Sequence, residues 1–116
     1  MLFNTHQIQN ITDARILGDS SISTLVSEIS IDSRSITSPQ STLFIAIVGN
    51  RVDGHDFIDH LYKIGVRAFL VSQPINTYDY KGAQFFVVPN VITAMQQLAI
   101  YHRNQFDFPV IGITGS

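Results

Sequence analysis

The chain has 116 residues, with 45% apolar and 14% charged side chains and neither cysteine nor tryptophan. That length can bury a core without covalent staples, and the missing cysteines exclude a disulfide scaffold and thiolate-held zinc or iron–sulfur centres. Nine acidic against seven basic residues give a net charge of −2, which argues against nucleic-acid binding through bulk charge, and no apolar run approaches the roughly 18 residues of a membrane span.

The start, Met1-Leu2-Phe3-Asn4, has no basic or long apolar stretch and does not read as a secretory signal. Phe3 and Ile8 suit a hydrophobic staple around an Asn4 N-cap, with Gln7 at the capping-box position, so a short helix is predicted over 5–13. A short strand over 14–17 is closed by Gly18-Asp19-Ser20. Ser27-Glu28-Ile29-Ser30-Ile31-Asp32 alternates as a strand with one wet face does. Residues 33–40 form a loop, and Leu43-Phe44-Ile45-Ala46-Ile47-Val48 reads as a strand covered on both faces.

A turn-rich loop over 49–55 leads into a helix carrying Phe57, Ile58, Leu61, Tyr62 and Ile64, which Gly65 stops. Ala68-Phe69-Leu70-Val71 is a further strand, and 73–82 is a polar connection in which Tyr78 and Tyr80 either stack on a base or anchor the loop. Phe85-Phe86-Val87-Val88 is a strand; Asn90 then caps a helix with Val91, Ala94, Met95, Leu98 and Ala99 on its apolar face. Pro109 opens a last apolar strand that runs into a glycine turn and stops, so a fragment boundary is expected there.

Strands alternating with helices after residue 43 imply βαβ units, and the different N-terminal third suggests an added antiparallel or edge strand. The expected fold is α/β, a three-layer sandwich with a mixed, largely parallel sheet flanked by helices. Ligands of such sheets sit beyond the carboxyl ends of the strands, where two loops fall, 32–34 and 49–55.

Asp32-Ser33-Arg34 offers a hydroxyl and a guanidinium fork suited to phosphate, or else a turn with a local ion pair. In the second loop, glycines allow close ligand approach, or Asp53 and His55 simply start a helix. Gly112-Ile113-Thr114-Gly115-Ser116 loosely fits the opening of a phosphate loop, or is a plain turn. The four histidines, His6, His55, His60 and His102, lack metal-site spacing, so no metal is expected, and neither a paired-carboxylate set nor a nucleophile elbow is present.

Taken in order, Ile31-Asp32-Ser33-Arg34, the run 43–49, Asp53-Gly54-His55-Asp56-Phe57, Gly65-Val66-Arg67-Ala68 and the run 110–116 resemble the Mur ligases. Among them the chain resembles the N-terminal domain of the MurF type, UDP-N-acetylmuramoyl-tripeptide:D-alanyl-D-alanine ligase. The resemblance implies a cytoplasmic, ATP- and Mg2+-dependent enzyme that adds D-alanyl-D-alanine to a UDP-N-acetylmuramoyl peptide through an acyl phosphate. It implies an N-terminal domain holding the UDP end of the substrate over 1–108, with 109–116 opening the central ATP-binding domain.

On that basis the substrate-binding residues are Ile31, Ser33, Arg34, Asn50, Arg51 and Val52, and the partial ATP phosphate loop is Gly112, Thr114, Gly115 and Ser116. The resemblance places no catalytic residue in this stretch, which is expected to be a monomer, inactive alone and without a bound cofactor. The phrases 61–67 and 108–110 resemble the variant fused to an alanine racemase, which would bring pyridoxal phosphate only with that extra domain. Two alternatives stay open: a MurE-type ligase adding the third amino acid, and a non-catalytic α/β ligand-binding domain.

Overall fold

A computed structural model describes residues 3–19 and 23–105. The chain runs through β1 (Phe3–Asn4), α1 (Thr5–Thr12), β2 (Arg15–Gly18), β3 (Leu25–Val26), β4 (Glu28–Ser30), β5 (Thr42–Ile45), α2 (Ile58–Ile64), β6 (Ala68–Val71), β7 (Gln84–Val87) and α3 (Val91–Gln105). Short 3-10 turns occupy Pro39–Ser41, Gly54–Phe57 and Thr77–Asp79.

Five strands form one sheet in the order β2-β7-β6-β5-β4, in which β4, β5, β6 and β7 are mutually parallel. β2 pairs antiparallel with β7, so the N-terminal third supplies a strand that is both antiparallel and at the edge. β1 and β3 form a separate antiparallel pair.

Successive strand residues point to opposite faces, and the central strands are apolar on both. Leu43, Ile45, Ala68, Leu70 and Phe86 face one way, meeting Phe3 and Ile8 at the N-terminus and Val91, Ala94 and Leu98 of α3. Phe44, Phe69, Val71 and Phe85 face the other, meeting Ile58 and Leu61 of α2. The result is the expected three-layer sandwich with a mixed, mostly parallel sheet.

The local signals act as anticipated. The Asn4 side chain accepts from the Gln7 N–H at 2.8 Å while Gln7 Oε1 accepts from the Asn4 N–H at 2.9 Å, closing the capping box. Asn90 Oδ1 accepts from the N–H groups of Ile92 and Thr93. Gly65 ends α2 at φ +121°, a value a side chain would resist.

Three expectations need correction. The strand expected over 27–32 covers only Glu28–Ser30, because the Ser30 hydroxyl donates to the Asp32 carbonyl and begins a turn. The strand expected over 43–48 covers Thr42–Ile45: the Ala46 N–H still reaches the Leu70 carbonyl, but the Ile47 carbonyl accepts from Gly54 in its own loop. Ala99 is exposed; it lies about 40° further round the helix than the half-buried Met95. The strand expected from Pro109 lies outside the described residues.

Candidate functional site

The carboxyl ends of the parallel strands place residues 31–34, 46–55 and Ser72 along one edge of the sheet. The first segment is organised by Asp32. Its Oδ1 accepts from the Arg34 backbone N–H at 2.9 Å and from Arg34 Nε at 3.2 Å, while Oδ2 lies 3.5 Å from Nη2. Ser30 and Ser35 hydroxyls both contact the Asp32 carbonyl. The Arg34 N–H and then its guanidinium hold the Asp32 carboxyl below the ordinary carboxylate range, and Asp32 in turn raises Arg34. The local ion pair is therefore real, yet the Arg34 side chain is 88% exposed and engages Asp32 along its Nε–Nη2 edge only.

The second segment is a small hairpin. The Gly49 N–H donates to the Val52 carbonyl at 2.8 Å, Val48 bridges Asp53, and the Gly54 N–H donates to the Ile47 carbonyl at 2.8 Å. A Cβ on Gly54 would meet Ile47 N at 2.7 Å and Ala46 Cα at 2.8 Å, so only glycine lets the hairpin close on the end of β5. Asp53 caps the following 3-10 turn, accepting from the His55 backbone N–H at 2.9 Å and from His55 Nδ1 at 2.6 Å. Those two bonds, the backbone one foremost, hold the Asp53 carboxyl below its ordinary range.

Between the two segments lies a groove of about 590 Å³, lined by Ile31, Asp32, Ser33 and Arg34 on one side and Val52 and Phe57 on the other. Its size falls in the span of small-molecule sites. Ile31 and Val52 are 57% and 54% exposed on its two walls. The groove combines the apolar side chains of Ile31, Val52 and Phe57 with the paired Asp32 carboxylate and Arg34 guanidinium and the Ser33 hydroxyl.

Of the residues expected to bind substrate, Ile31, Ser33, Arg34 and Val52 meet in this groove. Asn50 and Arg51 sit exposed at the hairpin tip and do not line it. Gly112, Thr114, Gly115 and Ser116 lie outside the described residues. Phe57 was expected only on the apolar face of a helix; it stands in the 3-10 turn before α2, where it both packs on the core and lines the groove. The turn signal in Asp53-Gly54-His55 was the available hint that Phe57 precedes the helix proper. Of the tyrosines, Tyr80 anchors its loop edge-on against Tyr62 and Phe85, whereas Tyr78 is 81% exposed. Among the described residues no helix is long and apolar enough to cross a membrane.

Comparison with known proteins places this geometry in context. A UDP-N-acetylmuramoyl-tripeptide--D-alanyl-D-alanine ligase of Synechocystis sp. is 35% identical over 91 residues, 78% of this chain and 19% of that protein. A UDP-N-acetylmuramoyl-L-alanyl-D-glutamate--2,6-diaminopimelate ligase of Oceanobacillus iheyensis is 36% identical over 93 residues, 78% of this chain and 18% of that protein. A crystal structure of MurF from Acinetobacter baumannii superposes with a TM-score of 0.77 at 27% identity, covering 90% of this chain and 22% of that one. The chain therefore spans about a fifth of the length of these relatives. The family model described as "Mur ligase family, catalytic domain" matches residues 25–111, the stretch that carries both groove walls, and the chain belongs to the Mur ligase family.

Proposed function

We propose that this chain is the N-terminal, substrate-holding domain of a MurF-type ligase and that its groove receives the UDP end of a UDP-N-acetylmuramoyl tripeptide. The single observation behind this reading is the meeting of Ile31, Ser33, Arg34 and Val52 around one groove at the carboxyl ends of β4 and β5. In it, the apolar side chains of Ile31 and Val52 cover the faces of the uracil, backbone groups at 31–33 read its edge, and Arg34 neutralises diphosphate charge. Asn50 and Arg51, at the hairpin tip, reach the diphosphate from outside the groove.

In the same reading, residues 1–108 form the substrate domain and 109–116 open the ATP-binding domain. The whole enzyme, a cytoplasmic protein, joins D-alanyl-D-alanine to the tripeptide at the expense of ATP with Mg2+. The residues that would hold those groups lie outside the described part of the chain, so no step is derived through them. Residues 1–116 alone form an inactive monomer.

The similarity to a D-alanyl-D-alanine ligase supports the MurF type. A second reading, the MurE type, has the diaminopimelate ligase of O. iheyensis in its favour. Assaying the full-length enzyme decides between them. ADP release on adding D-alanyl-D-alanine with a UDP-muramyl tripeptide supports MurF; release only with a single amino acid and the UDP-muramyl dipeptide supports MurE.

A further inference from the structure

Residues 47–54 are tied to one another by hydrogen bonds internal to the hairpin. Those bonds give the hairpin its shape; Gly54 against the end of β5 and Phe57 on the core seat it on the sheet. Its far wall partner, the 31–34 turn, is fixed separately through Asp32 at the end of β4. What sets the distance between the walls is whatever fastens the 52–57 segment, which carries both Val52 and Phe57.

His55 adds a side-chain tie from the middle of that segment. Its side chain is 6% exposed, whereas His6 and His60 lie open on the surface. Nδ1 meets Asp53 Oδ1 at 2.6 Å, and Nε2 meets the Ser72 backbone N–H at 3.3 Å. The Ser72 N–H can only donate, so Nε2 is the acceptor and the ring proton sits on Nδ1, donated to Asp53. Ser72 follows β6 directly, so the imidazole reaches past β5 to the next strand. It links the hairpin carboxylate to the sheet backbone, beside the Gln73 side chain, which also reaches Asp53.

We propose that His55 is a positioning residue of the groove: by bridging Asp53 to the Ser72 N–H it holds Val52 and Phe57 at the spacing from Ile31 and Arg34 that a nucleotide requires. The claim rests on the reading of the groove as a UDP site. A mere helix cap would use the His55 backbone N–H, which any residue supplies; a buried ring accepting from a neighbouring strand goes beyond that.

The test uses two variants of the 116-residue chain that divide the bridge. His55→Asn keeps an amide donor near Nδ1 and loses the link to Ser72; His55→Gln carries an acceptor to the Nε2 position. The expected result is a UDP dissociation constant weakened about fivefold to tenfold in His55→Asn and weakened clearly less, by about twofold to threefold, in His55→Gln, which restores the Ser72 tie but gives up the donor to Asp53. Two variants that both bind as wild type, or that are equally weakened, overturn the bridge to Ser72. Should His55→Asn not fold, the wild-type ring decides: nitrogen-15 shifts showing the proton on Nδ1 uphold the assignment, and a proton on Nε2 overturns it. If the wild type binds no UDP, the nucleotide reading fails while the positioning claim is still judged without ligand. Amide relaxation must then show 48–53 loosened in His55→Asn and restored in His55→Gln, and unchanged relaxation overturns it.

Discussion

Phe69 and Phe85 stack face to face across two adjacent parallel strands, with ring centroids 5.0 Å apart and planes 11° from parallel. They are directly opposed in register, both fully buried, and Phe44 meets Phe69 edge-on from the next strand. This aromatic row forms the α2 side of the core, on which the groove segment rests through Phe57. Phe69→Ala should lower stability by about 3–5 kcal/mol, since it removes a buried ring whose neighbours are held in strands and cannot collapse freely. Urea unfolding of the two proteins measures this; a loss below about 1 kcal/mol would mean the row is not a principal support.

Gly54 is where the hairpin closes on the end of β5. A methyl group there meets the backbone at 2.7 Å and 2.8 Å, and backbone yields less readily than a side-chain tip. Gly54→Ala should therefore cost about 1–3 kcal/mol and displace the hairpin, although alanine at an ordinary surface turn is close to neutral. Gly82→Ala makes a fitting contrast: nothing lies near its Cβ position, and only its φ of +79° opposes the change. A melting temperature unchanged in Gly54→Ala would refute the close approach.

Much of this fold was legible because local and long-range signals agree. The capping box at Asn4, the stop at Gly65 and the wholly apolar, doubly buried strand Ala68–Val71 each follow from a few neighbouring residues. What the sequence hides is partnership. Residues 47 and 48 are as apolar as the strand before them, yet they pair with 53 and 54 once Gly54 lets the chain fold back. β1 and β3 are two residues each, too short for any periodicity to register. Ala99 lies at the edge of a helical stripe that only the packed neighbours can delimit. For the site, the types in Asp32-Ser33-Arg34 and Val52 were visible, but their convergence depends on β4 and β5 being adjacent and parallel. Phe57 was obscured because its spacing fits the helix that follows equally well.

The N-cap at Asn4 offers a test confined to local structure. Asn4→Ala removes the acceptor for the Gln7 N–H and leaves Gln7 without its cap, and should cost about 1 kcal/mol. Asn4→Asp should retain most of the stability, because a carboxylate caps equally well and suits the helix N-terminus. Equal losses in both variants would show that the side chain does not cap α1.

Glu28 contributes to the response to acid, alongside Asp32 and Asp53, which are also held below their ordinary range. Its carboxylate accepts from the Thr42 hydroxyl, the Thr37 hydroxyl and the Thr37 N–H, and these bonds, that of Thr42 first, hold it below its ordinary value of 4.5. A carboxyl depressed in the folded state contributes stability that is fully present above the unfolded value and is lost as pH falls through the folded one. The fold should thus weaken below about pH 4.5, where protonation loosens the Thr37 and Thr42 hydroxyl bonds to Glu28. Glu28→Gln should flatten that part of the pH profile. Profiles of equal slope for both proteins between pH 5 and 3 would remove Glu28 from the explanation (about one unit either side of the ordinary carboxylate range).

The most direct measurement of the central claim is an amide-shift titration of the 116-residue chain with UDP and, separately, with ADP. The groove reading predicts shifts at 31–34 and 48–57 with UDP, with an affinity on the order of millimolar, about −4 kcal/mol, because most of the larger substrate's contacts are absent. It predicts no comparable response to ADP, whose purine edge leaves buried polar groups unpaired at about 1–3 kcal/mol each. Arg34→Ala should weaken UDP binding without altering the melting temperature, as its side chain is 88% exposed. Equal shifts with both nucleotides, or shifts mapping away from the two loops, would contradict the assignment of this groove to the UDP end of the substrate.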